Sequence, residues 1–167
     1  MRIVVADASS LILLAKCSLL RRYAGRVELL AATEVIEEAA ALQLQSTHPD
    51  AAVIAAAVAE GLLVVKTVRS RRRLPIALGP GEAATIRLFA QENADLVLSD
   101  DGRSLRACRL VGIPFTTSPR VVVDLHRAGL VDRTDARRAL EKLAVVGRYS
   151  GDIIAAALVA LQEHEHG

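Results

Sequence analysis

The sequence predicts an α/β fold, a short parallel β-sheet flanked by helices on both faces, with a helical C-terminal region. Short apolar runs such as "IVVA" and "LVL" alternate with helical patterns up to about residue 117. Strands apolar on both sides belong to sheets covered on both faces. Hydrophobic residues make up 52% of the 167, yet aromatics only 2%, so Ala, Val and Leu must build the core. Beyond residue 117 only helical patterns remain. This length suits one domain. The expected organisation is a single domain, 1–167, with an α/β core over 1–117 and a helical part, 118–167, packed on it.

Taken in order, Ile3–Ala6 reads as a buried strand ending at Asp7. Ser9 or Ser10 is placed to cap the helix that follows, through about Lys16. Leu19–Tyr23 adds a turn, and Val27–Leu30 is a second strand. Thr33 is expected to cap a helix through about Leu44. Pro49 suits the first turn of a helix that stops at Gly61. Leu62–Val65 is strand-like. Thr67–Pro80, with four arginines, two prolines and a glycine, reads as a loop. A helix over Gly81–Glu92 precedes the strand Leu96–Leu98, which ends in Ser99-Asp100-Asp101. The remainder reads as helix Gly102–Val111, strand Ile113–Phe115, and helices Arg120–Ala128, Thr134–Val146 and Ser150–Gln162.

The net charge is only +2, but the basic residues are nearly all arginine; the three lysines are Lys16, Lys66 and Lys142. Arg69, Arg71, Arg72 and Arg73 form a run, and Arg103, Arg106 and Arg109 recur at helical spacing. The planar guanidinium fork matches phosphate; a solvated arginine-rich surface explains the same composition. Cys17 and Cys108 fit no metal spacing and read as buried thiols of a reducing cytosol. No apolar stretch reaches the roughly 18–20 residues of a membrane span, and Arg2 leads straight into a strand without signal-peptide organisation. The expectation is a cytoplasmic protein with no membrane contact.

Acidic residues gather where a parallel sheet binds its ligands, at the carboxyl ends of strands. Asp7 follows the first strand, and Asp100 and Asp101 follow "LVL". Glu37 and Glu38 lie within the third helical run, and Glu82 opens the helix after "GPG". Each has a plain alternative: the aspartates as caps or turn formers, Glu82 favouring a helix N-terminus, Glu38 as a solvated residue. Two carboxylates about 4 Å apart repel by roughly 4 kcal/mol at an effective dielectric near 20. A cluster of four in a half-buried site therefore calls for protons or a cation, and all-oxygen donors suit Mg²⁺ or Mn²⁺.

"VVADASSLILLAKC" resembles the opening of PIN-domain proteins: a strand, an Asp, a hydroxyl residue two positions on, then an apolar helix. "TEVIEEA" is similar to the family's next block, a helix carrying the second acid. "GPGEAATIRLFAQENADLVLSDDGRSLRACRLVGI" and the tail from Pro119 through "RAGLV" resemble one PIN-like subgroup. The resemblance covers nearly the whole chain and implies the PIN-like fold. It further implies a metal-dependent ribonuclease, the toxin of a toxin–antitoxin pair, with RNA as substrate and an antitoxin protein as partner. The metal would be held by Asp7, Glu38, Glu82 and Asp101, with Glu37 and Asp100 as alternates, and Ser9 would support a carboxylate from behind. From charge alone, Arg103 and the Arg69–Arg73 loop are assigned to the RNA backbone. The chain departs from the pattern at Ala8, where many members carry a hydroxyl, and in the loop Thr67–Pro80.

Three other functions compete. A phosphoacceptor or phosphatase domain needs a lysine after a late strand, and none of the three lysines is so placed. A dinucleotide enzyme needs G-x-G-x-x-G after a strand, which is missing. A catalytically inactive PIN-like module that binds RNA or protein remains the alternative. The terminal "HEHG" reads as a frayed tail rather than a metal motif. The Ala- and Leu-rich final helices read as core first, with some apolar surface left for a homodimer or an antitoxin helix.

Overall fold

A computed structural model describes residues 1–147 and 149–163; the terminal His164–Gly167 stretch lies outside the described residues. The chain divides into two compact units, 1–116 and 117 onwards.

The first unit is built on a five-stranded parallel sheet in the order β3-β2-β1-β4-β5. Its strands are β1 (Ile3–Ala6), β2 (Glu28–Ala32), β3 (Leu63–Lys66), β4 (Leu96–Leu98) and β5 (Phe115–Thr116). The helices between them are α1 (Ala8–Lys16), α2 (Leu20–Ala24), α3 (Thr33–Ala39), α4 (Leu42–Gln45), α5 (Pro49–Ala59), α6 (Pro80–Gln91) and α7 (Gly102–Val111). From β1 the chain steps outward to β2 and β3, then returns to lay β4 on the other side of β1. The order therefore reverses between β1 and β4, and the crevice at their carboxyl ends is the topological switch point of the sheet. Val4, Val5, Ala6, Leu29, Leu30, Val97 and Leu98 are buried, as strands covered on both faces require.

The second unit contains α8 (Ser118–Arg127), α9 (Arg133–Val146) and α10 (Gly151–Glu163). Asp132 caps α9, accepting from the Asp135 N–H at 2.8 Å. Ile154, Ala157 and Leu161 of α10 are buried, whereas Ile153, Val159 and Val145 are exposed. The apolar residues of these helices are thus only partly core.

Several local expectations are corrected. The run from Thr33 breaks at Ala40, whose φ of −139° leaves the helical region, so α3 and α4 are separate. Thr33 does not cap α3: it is the first helical residue, Ala32 holds the cap position, and no side chain bonds there. Ser10 does not cap α1 either; Asp7 does, accepting from the Ser10 N–H at 3.0 Å. β5 lies at Phe115–Thr116 rather than Ile113–Phe115, because Gly112, in the left-handed conformation, and Ile113 close the end of α7.

Gly112 has φ +72° with open space where a Cβ would stand. Its requirement is therefore conformational, and Gly112→Ala is expected to cost about 1–2 kcal/mol in urea unfolding. A cost near zero would show that α7 ends equally well without the left-handed residue.

Candidate functional site

The site is assembled at the β1–β4 switch point. Ala6 lies in register with Leu98, and the Asp7 N–H continues the ladder to the Leu98 carbonyl at 3.0 Å. This sets the residues following the two strands side by side. Asp7 is 2% exposed. Its Oδ1 accepts from the Ser9 hydroxyl at 2.7 Å and from the Ser10 N–H, and its Oδ2 accepts from the Ser99 hydroxyl. Across the crevice the Ser10 hydroxyl donates to Asp100 Oδ2 at 2.6 Å, and the Asp100 N–H donates to Ser9 Oγ at 3.3 Å. Two serines thus stitch Asp7 and Asp100 into one network.

Burial raises the Asp7 carboxyl from 3.8 to about 6; hydrogen bonds from Ser99, Ser10 and Ser9 oppose the rise, and the nearby Asp100 charge adds to it. At neutral pH the group is ionised at a cost, which a cation would relieve. Cys108 is buried beneath, and its thiol is pushed up to about 11 by burial and then by the Asp7 charge. It is an inert thiol, not a nucleophile.

The other acids are placed differently. Asp101 caps α7, its Oδ2 accepting from the Ser104 N–H at 2.9 Å, and its own N–H donates to Ser99 Oγ at 3.2 Å. Glu82 reaches back to accept from the Gly79 N–H at 2.8 Å, one half of a capping box at the start of α6. Glu38 reaches across from α3 to Gly81, where a Cβ would stand 2.8 Å from its Oε2. Gly81 therefore lets the Glu38 carboxylate meet the N-terminus of α6, where helix partial charge favours an anion. Arg103 is exposed at the start of α7, and Arg109 stacks over the Phe115 ring at 5.1 Å.

The structure thus joins Asp7 with Asp100 through Ser9 and Ser10, and Glu38 with the Gly79–Glu82 turn. Among the described residues no three acidic, histidine or cysteine side chains converge into a ready-made metal cage. The donor set nevertheless fits a hard divalent ion. It is all oxygen, and its central carboxylate is destabilised by burial and a like charge; on α3, one turn before Glu38, one Glu34 oxygen is also buried without a partner. Sequence reasoning missed Ser10 and Ser99 as hydroxyl donors and Gly81 as a clearance. Ser99 was legible, standing at a strand end before an acid pair; the clearance at Gly81 carries no local signal.

An acid whose pKa is higher folded than unfolded makes the fold lose stability as pH rises through the interval between the two values, here 3.8 to about 6. Asp7→Asn keeps the shape and removes the charge. In EDTA its stability relative to the parent should improve by about 3 kcal/mol between about pH 4 and pH 7.5, read by denaturant unfolding; a pH-independent difference contradicts the buried charge. Gly81→Ala should displace the Glu38 carboxylate and weaken Mn²⁺ binding in calorimetry while the far-ultraviolet dichroism stays unchanged. Unaltered binding would place Glu38 outside the ion's surroundings.

Comparison with known proteins adds one match. The family model described as DUF3368, a PIN domain, matches residues 3–163. No curated protein and no solved structure matches the chain significantly. PIN domains are typically nucleases that bind divalent metals. No helix among the described residues is long and apolar enough to cross a membrane. With a match over nearly its whole length and a parallel sheet that carries its acids at the switch point, the chain belongs to the PIN domain family.

Proposed function

We propose that this protein is a metal-dependent endoribonuclease that hydrolyses RNA phosphodiester bonds, acting as the toxin of a toxin–antitoxin pair. The observation that carries the reading is Asp7, a buried carboxylate with raised pKa networked to a second acid, Asp100, at the sheet's switch point. Asp7 and Asp100 would hold Mg²⁺ or Mn²⁺, with Glu38, Glu82 and Asp101 as further oxygen donors and Glu34 within the same helix face as Glu38. When bound, such an ion supplies Lewis-acid charge for a phosphate and lowers the pKa of a water.

The chain's own residues supply orientation. Ser9 and Ser99 fix the two Asp7 oxygens, and Ser10 fixes Asp100, the supporting role that hydroxyls take behind a ligating carboxylate. Arg103, next to Asp101, and Arg69, Arg71, Arg72 and Arg73 are assigned to the phosphates of the RNA. The exposed Ile153, Val159 and Val145 of the second unit are the apolar surface offered to an antitoxin helix or a second copy.

One observation favours the competing reading, a PIN-like module that binds without cleaving: Glu82 and Asp101 are both engaged as helix caps. Cleavage of single-stranded RNA with Mg²⁺ or Mn²⁺ separates the two. Asp7→Asn should abolish hydrolysis, and Ser99→Ala should lower it roughly 10–100-fold. Asp100→Asn should be far more damaging than Asp101→Asn, which retains a good cap. Hydrolysis that persists in EDTA or in Asp7→Asn removes the metal mechanism. Absence of both cleavage and metal binding establishes the non-catalytic module.

A further inference from the structure

The segment 67–79 is not a free loop. It runs antiparallel along α6 and is tied to it at intervals. At the far end Gln91 makes two bonds: its Oε1 accepts from the Arg69 N–H at 2.9 Å, and its Nε2 donates to the Thr67 carbonyl at 3.1 Å. One turn nearer the site, Arg87 Nε donates to the Arg72 carbonyl at 3.0 Å. At the near end the Gly79 N–H donates to Glu82 at 2.8 Å. Between these ties Leu74, Ile76 and Leu78 alternate inward onto a cluster of Ile86, Phe89, Cys108 and Phe115, among others, while Arg73, Pro75 and Ala77 are exposed. Arg69, Arg71, Arg72 and Arg73 are exposed as well.

We propose that this strap is a prebuilt phosphate track, on which single-stranded RNA lies along α6 towards the acidic crevice, and that Gln91 is the residue that positions it. The proposal rests on the RNA reading above and adds the path, the extent and the means of holding it. From Glu82 to Gln91 the helix rises about 14 Å, long enough to run beside more than one backbone phosphate of a single strand. The ties use backbone groups of the strap and leave its charge-bearing side chains exposed. Ordering is completed when the chain folds, so binding does not have to fix a loose loop. Guanidinium forks then meet phosphates as charge-assisted pairs.

The test is binding of a fluorescently labelled single-stranded RNA to the full chain in EDTA, by anisotropy over a salt series. The triple variant Arg71→Ala, Arg72→Ala, Arg73→Ala should reduce the slope of log K against log salt by about 2, at roughly 0.7 per phosphate contact. A triple variant of equal charge in the second unit, Arg127→Ala, Arg137→Ala, Arg138→Ala, should leave the slope unchanged. Gln91→Ala removes no charge, so it should weaken binding severalfold at an unaltered slope and unaltered melting temperature. Equal slope losses in the two triple variants would reduce the effect to net charge and overturn the track. Parental affinity in Gln91→Ala would overturn the positioning role, and tighter binding of a duplex would overturn the single strand. Cleavage is assayed separately with Mn²⁺: binding that obeys these expectations without cleavage upholds the track and sinks the nuclease. Full cleavage in the arginine triple variant does the reverse.

Discussion

The burial of one carboxylate organises the first unit. Asp7 sits where the strand order reverses, between the carboxyl ends of β1 and β4, with almost no exposure. Left alone, a charge in that position is costly. The surrounding residues answer that cost with three hydrogen bonds, from Ser9, Ser10 and Ser99, and the same bonds join β1, α1 and β4. Those bonds do not fully offset burial, since the carboxyl still stands raised to about 6. That residual destabilisation is what a bound cation would relieve under the proposed function.

Around that centre, three of the acids have a structural occupation. Asp7 caps α1, Asp101 caps α7, and Glu82 closes the turn before α6. Placing acids at helix N-termini is locally favourable, and three helices whose N-termini follow or approach the carboxyl edge bring those acids to one side of the sheet. Local capping is therefore compatible with acids facing that side, where no three of them converge among the described residues. The arginine strap supplies the complementary charge along α6, anchored by apolar side chains underneath and by backbone bonds to Gln91 and Arg87.

Much of this was legible in the chain. Apolar runs marked the strands, and β1 and β4 lie at the expected residues. Asp7, Asp100, Asp101 and Glu82 were recognisable as acids at strand or helix ends. The misread features share one cause: a residue was assigned a local partner when the tertiary structure supplied a better one. Ser10 looked like a cap, but its hydroxyl is taken by Asp100, ninety residues on. Thr33 looked like a cap, but it lies inside α3. Segment 67–79 is the loop the sequence predicts, without helix or strand; what Pro75 and the arginines mask is the alternation of Leu74, Ile76 and Leu78, a signal of one buried side.

Sequence by itself determined the α/β class, the short buried strands, the identity of the acids and the concentration of arginine, because these depend on composition and periodicity. Tertiary structure alone decided which acids meet. Register between Ala6 and Leu98 sets Asp7 beside Ser99 and Asp100, and the bare Cα of Gly81 admits Glu38 to the start of α6. Neither relation has a local signature, since each pairs residues from distant parts of the chain that only the sheet order brings within reach.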